Sequence, residues 1–148
     1  MLKRACICVA ILSFLVVMGL PLAQASTERR IKVNVPFDFY MRDRVLSAGE
    51  YEVREIATGI LVRSADGSEQ LIALTRDAAA QGRQAAGARL VFHRYGDQSF
   101  LAAAWMDESN GHALSASRRE RSLRTELAQG GHEVAPEVIT VVAENAVQ

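Results

Sequence analysis

The sequence predicts an all-β domain: an antiparallel β-sandwich or flattened barrel of about seven or eight short strands, with one C-terminal helix on its surface. Three observations carry this. Apolar and polar residues alternate at period two through much of the chain, as in Ile31-Lys32-Val33-Asn34-Val35. Turn dipeptides rich in glycine, Asp66-Gly67, Gly96-Asp97 and Asn110-Gly111, punctuate that alternation. The period changes in "SASRRERSLRTELAQGG", where Ser117 and Glu120 have capping-box spacing and Gly130-Gly131 supplies a stop.

Before the first strand comes a segment that reads as an export signal. Lys3 and Arg4 form a basic n-region, Ala5 to Leu20 an uncharged apolar run, and Ala23-Gln24-Ala25 a small-x-small cleavage site. The apolar run is shorter than the ~20 residues of a spanning helix, so cleavage after Ala25 is expected and no transmembrane segment should remain. The expected organisation is residues 1–25 as signal peptide, 26–130 as one β-rich domain with its helix, and 131–148 as a tail or a last strand. Cys6 and Cys8 leave with the signal, so the mature domain is expected to hold together without thiol chemistry. The expected location is periplasmic or extracellular.

From Ile31 onward the elements follow in order. Pro36 closes the first strand and suggests an edge or a bend, because proline donates no ladder hydrogen bond. In "FDFY", Phe37 and Phe39 point inward, and Asp43-Arg44 marks a turn. Ala48-Gly49 suits the centre of a type II turn before a strand with Tyr51, Val53 and Glu55 on one face, closed by Thr58-Gly59. Asp66-Gly67 predicts a two-residue hairpin whose flanks, Ile60-Leu61-Val62 and Leu71-Ile72-Ala73-Leu74, are apolar on both faces and should be covered on both. "TRDAAAQGRQAAGA" reads as a long connection with at most one helical turn. Gly96-Asp97 fits a type II′ turn pairing Tyr95 with Gln98, His93 with Phe100 and Phe92 with Leu101. That register puts Leu90, Phe92, Leu101, Ala103 and Trp105 on a core face, and Val91, His93, Tyr95, Phe100, Ala102 and Met106 on the other. A loop through Asn110-Gly111 leads to a short strand ending at Leu114, then to the Ser117–Gln129 helix, whose narrow Leu123/Leu127 stripe places it outside the sheet. Val138 to Val142 is either a last strand or a frayed end.

The blocks "VNVPFDFY", "LSAGEYEV" and "LVFHRYGDQSFL", followed by an Arg/Glu-rich helix, resemble a group of small exported proteins abundant in acidobacteria. The resemblance spans roughly Ile31 to Leu127. It implies export and a shared fold, and brings no activity, ligand or catalytic residue with it. Ser47 stands where the pattern usually has proline.

Chemistry is sparse. Charge is balanced, with 17 basic and 17 acidic residues, so no global field recruits nucleic acid or anionic membrane. His93, His112 and His132 lack the spacing of a prebuilt metal pair, and no metal or cofactor is expected. No G-x-S-x-G elbow occurs. The candidate binding residues are His93, Tyr95 and Phe100 on the mixed aromatic face and Arg118, Arg119, Arg121 and Arg124 on the helix, against a plain reading of the arginines as a solvated face. The expected function is a non-catalytic envelope or extracellular module, structural or binding a protein or cell-surface polymer. Two alternatives stay open: a small hydrolase or metal-assisted enzyme centred on His93 with Asp97, and a barrel holding a small apolar ligand.

Overall fold

A computed structural model describes residues 29–78, 87–131 and 135–147. The export segment with Ala23 and Ala25, most of the connection before Leu90, and His132 lie outside the described residues. The strands are β1 (Arg30–Val35), β2 (Phe39–Met41), β3 (Arg44–Leu46), β4 (Gly49–Ile56), β5 (Gly59–Ser64), β6 (Gln70–Ala78), β7 (Arg89–Tyr95), β8 (Gln98–Trp105) and β9 (Gly111–Leu114). Helix α1 (Arg118–Gln129) follows, then β10 (Glu137–Val142) and β11 (Asn145–Val147). The all-β class with one C-terminal helix therefore holds. The strand number does not: eleven strands stand among the described residues, against about seven or eight. The excess has a local cause, since "FYMRDRVL" folds into two three-residue strands and the C-terminal segment into two more.

One mostly antiparallel sheet runs β10-β7-β8-β9-β6-β5-β4-β1-β11, with the β2–β3 hairpin attached to β8 through Tyr40 beside Phe100. Its two ends, β10 and β11, are consecutive in the chain. Across the step between them, Ala143 N–H donates to Ala88 C=O at 2.9 Å and Glu144 N–H donates to Lys32 C=O at 3.0 Å. The C-terminal segment thus docks first on β7 and then on β1, and the sheet wraps round a filled interior. Phe39, Phe92, Ile31, Met41, Leu46, Leu90, Val53 and Val62 are fully buried there. Phe92 meets Phe37 and Phe39 edge to face at 5.2 and 5.3 Å, the geometry that ring quadrupoles favour. Among the described residues, no helix is long and apolar enough to cross a membrane.

Several local expectations are corrected by the long-range pairing. β1 is not an edge strand, for β4 flanks all of it and β11 covers Arg30–Lys32; Pro36 simply follows its last residue. The turn before β3 is Arg42-Asp43, since Met41 pairs Arg44. Gly49 is no turn centre: it opens β4 opposite Val35, and Ala48 N–H is held by Asp38 Oδ1 at 2.8 Å. The turn into β5 is Ala57-Thr58, because Ile56 pairs Gly59. Asp66-Gly67 sits in a longer loop. Arg63 pairs Gln70, and Asp66 Oδ1 accepts from the Ser64 hydroxyl, the Ser68 hydroxyl and the Ser68 N–H, a network that draws the loop out past two residues. These donors, Ser64 first, hold the Asp66 carboxyl down at about 2. Thr75–Ala78, read as connection, extends β6 by pairing with β9.

The opening of the β7–β8 hairpin follows expectation. Gly96 has φ +62°, Asp97 does not, and Tyr95/Gln98, His93/Phe100 and Phe92/Leu101 are partners. Between Val91 and Phe92 a bulge then shifts the register, pairing Val91 with Ala103 and Arg89 with Trp105. Beyond Leu101 the faces exchange. Ala104 and Met106, rather than Ala103 and Trp105, join the main core. Trp105 is still only 3% exposed, but it is covered by the Arg89 guanidinium 4.5 Å from its ring centroid and by close approach to Gly111. A slip of one residue flips every later side chain, which is what the bulge does here.

Candidate functional site

Helix α1 lies across the face of the β7–β8 hairpin that carries His93, Tyr95 and Phe100. Ser117 caps it, its Oγ accepting the Glu120 N–H at 3.1 Å. The Glu120 side chain turns down to the sheet. Its Oε1 accepts from the Tyr95 hydroxyl at 3.3 Å and lies 3.2 Å from His93 Nδ1. An ionised carboxylate only accepts, so Nδ1 carries the proton. Glu120 is 5% exposed, and a charge so buried persists only when paired. Burial alone would push its carboxyl up, but the His93 hydrogen bond and charge, then Tyr95 and Arg124, hold it below the usual range. Burial raises the Tyr95 phenol, and the Glu120 charge adds to that. Leu123 and Leu127 pack beside this polar group onto Tyr95, Phe100 and Tyr40, with Tyr40 stacked on Phe100 at 4.9 Å. The aromatic face expected at the surface is thus the bed of the helix: Tyr95 and Phe100 are buried, and His93 is half-buried at its margin.

The helix arginines divide. Arg119 donates through Nε and Nη2 to Gln98 Oε1 at 3.3 and 3.2 Å, and its backbone N–H donates to Asp43 Oδ1 at 3.1 Å. Arg121 Nη1 donates to Ala116 C=O at 2.5 Å. Arg118 and Arg124 are exposed, and Arg124 supports the Glu120 charge. Arg118 and Arg121 also line a cleft of about 350 Å³ with Arg42, Asp43, Ala73, Leu74, Leu114 and Ser117. Asp97 stays exposed at the hairpin tip, so the His93 nitrogen is held by Glu120, not by the acid next along the strand.

A second polar group was not legible in the sequence. Buried His112 lies with Nδ1 3.1 Å from the Thr75 hydroxyl and Nε2 3.4 Å from Glu55 Oε1, the latter without hydrogen-bond geometry. Glu55 Oε2 accepts from Asn110 Nδ2 at 3.0 Å and Arg29 Nη1 at 3.4 Å. Hydroxyl, imidazole and carboxylate stand in the order in which a base takes a proton and an acid orients it. The three residues come from β6, β9 and β4, and no short-range spacing connects them. Among the described residues no group of three or more histidine, cysteine or acidic side chains is placed to hold a metal. No family model matches the chain, and no curated protein or solved structure matches it.

Proposed function

We propose that this chain is an exported, non-catalytic module of the envelope or extracellular space that acts by binding a protein or polymer partner. The n-region, apolar run and Ala23-Gln24-Ala25 support export, as does the resemblance of its "VNVPFDFY" and "LVFHRYGDQSFL" blocks to small exported acidobacterial proteins. The observation that carries binding is the outward face of β6. Ile72 is 52% exposed and Leu74 68%, and half-buried Leu61 stands directly opposite Ile72 on β5. A strand with one solvent face ordinarily shows water polar side chains there; a run of apolar ones marks a contact surface. The test is thermal unfolding of the mature chain, Ser26 onward, across polypeptides, glycans, lipids and metals. A partner at 100 times its dissociation constant stabilises the fold by about 2.7 kcal/mol. That shift should vanish in an Ile72→Ser, Leu74→Ser double variant. A shift produced only by metals would count against the reading.

A second reading, hydrolysis, draws on the Thr75–His112–Glu55 string, and moves the enzymatic alternative from His93 to His112. Ester-cleaving activity lost in both Thr75→Val and His112→Gln would favour it over a binding module.

A further inference from the structure

Resting on the binding reading, we propose that the unpaired edge of β6 over Gln70–Leu74 accepts an extended polypeptide segment as an added strand, with acidic side chains directed to Arg42, Arg118 and Arg121. β6 changes partner half way along. Gln70–Leu74 pair with β5 and Thr75–Ala78 with β9, which stands on the opposite side in the strand order. Thr75 N–H bonds to Thr58 C=O and Ser64 N–H to Glu69 C=O. Narrow and wide pairs alternate in an antiparallel ladder, so these two bonds fix the parity: Ala73 and Leu71 bond toward β5. The backbone groups of Ile72 and Leu74 therefore face the other edge, where no strand pairs with them among the described residues. Such a row of outward N–H and C=O groups, left to water, is a template on which another polypeptide can pair as an added strand.

Two further observations give the segment its chemistry. Along that edge lies the cleft of about 350 Å³ that Leu74 and Ala73 share with Arg42, Arg118 and Arg121. Its one acid, Asp43, accepts the Arg119 N–H at the start of α1, and three guanidiniums against this single carboxylate leave the rim cationic. Alternate side chains of an added strand point to opposite faces. An apolar–acidic alternation then lays apolar groups beside exposed Ile72 and Leu74 and turns carboxylates to the guanidiniums, whose planar forks suit them. Arg42 adds an independent sign. It has φ +60°, the only non-glycine with positive φ among the described residues, in a two-residue turn where glycine would be unstrained. Strain of this kind, held at the rim of a cleft, is characteristic of ligand-binding positions.

The experiment uses a fluorescein-labelled peptide of alternating Glu and Val, read by anisotropy on the mature chain. Three comparison ligands accompany it: the same peptide N-methylated at every second residue, its Lys-for-Glu counterpart, and vesicles of anionic lipid. The Glu peptide should bind about ten-fold tighter than either altered peptide, because one lacks the donors and the other repels the arginines. Arg118→Glu and Arg42→Gly should each weaken it several-fold. Arg42→Gly should at the same time raise the melting temperature, and a merely structural arginine would not separate the two readouts that way. Equal binding of the N-methylated peptide, indifference to both arginine variants, absence of binding, or binding of vesicles in place of the peptide would each overturn the proposal. If the peptide fails while another macromolecule still shifts the melting point through Ile72 and Leu74, the inference falls and the binding module stands.

Discussion

Gly59 shows how one residue type is fixed by space rather than by a turn. A Cβ there would lie 2.0 Å from the Ala73 carbonyl oxygen on β6, a backbone atom held in its ladder. Gly59→Ala should therefore cost about 3 kcal/mol, the upper range for forced overpacking, measured by urea unfolding. Trp105 illustrates what sequence conceals at this scale. Its burial was legible from its size and strand position, but the face it occupies was not. The bulge lies beside Ala102-Ala103-Ala104, three identical side chains that carry no pattern to say which one faces the core. By contrast, the hairpin tip was legible because Gly96 is cheap at positive φ and so pins the register. Tyr51 gives a pH signature. Burial, followed by the charges of Glu69, Asp38 and Asp66, pushes its phenol from 10.0 to about 12. A group whose folded value is raised contributes stability that is complete below the unfolded value and lost as pH rises through the folded one. Stability should fall between 10 and 12, and Tyr51→Phe should flatten that limb of a denaturation-versus-pH curve.

Among the elements, α1 is the one whose limits were readable almost to the residue, because Ser117 and Gly130 are local signals. What Glu120 does was not. Its spacing from Ser117 suggested a reciprocal cap, whereas its carboxylate belongs to His93 and Tyr95 on β7, a contact that depends on where the helix lands. Ser117→Ala removes the acceptor of the Glu120 N–H and should cost about 1 kcal/mol. Glu120→Gln should act differently. The Glu120 carboxyl sits below its ordinary 4.5, so its contribution is present above that value and is lost as pH falls through the lower folded one. Acid should thus loosen the helix from the hairpin. Near-ultraviolet circular dichroism of Tyr40 and Tyr95 should report this transition in the native chain and show a weaker pH dependence in Glu120→Gln. The outward face of β6 departs from the sequence expectation for a related reason: its apolar run looks like a strand covered twice, and only the assembled fold leaves Ile72 and Leu74 more than half exposed.

At the level of the whole molecule, period-two patterning carried the all-β class and the break in that period carried the helix, while the strand order came from pairings between distant segments that no local pattern encodes. The C-terminal segment is the clearest case. Read as tail or strand, Glu137–Val142 pairs with β7 along its full length, and Asn145–Val147 with β1. Ile139 and Val141 turn inward onto the core. Deleting residues 137–147 should leave Leu90, Phe92 and Ile31 uncovered and abolish cooperative thermal unfolding, with dye binding to exposed apolar surface as the readout. The same segment sets the order of events when the chain is made. Every other strand among the described residues precedes it, so a polypeptide made N-terminus first lacks the outermost strands beside β7 and β1 until residue 137 and beyond arrive. The domain closes like a clasp and not like a zip, its last nine strand-forming residues, Glu137–Val142 and Asn145–Val147, fastening onto two strands that lie at opposite ends of the series.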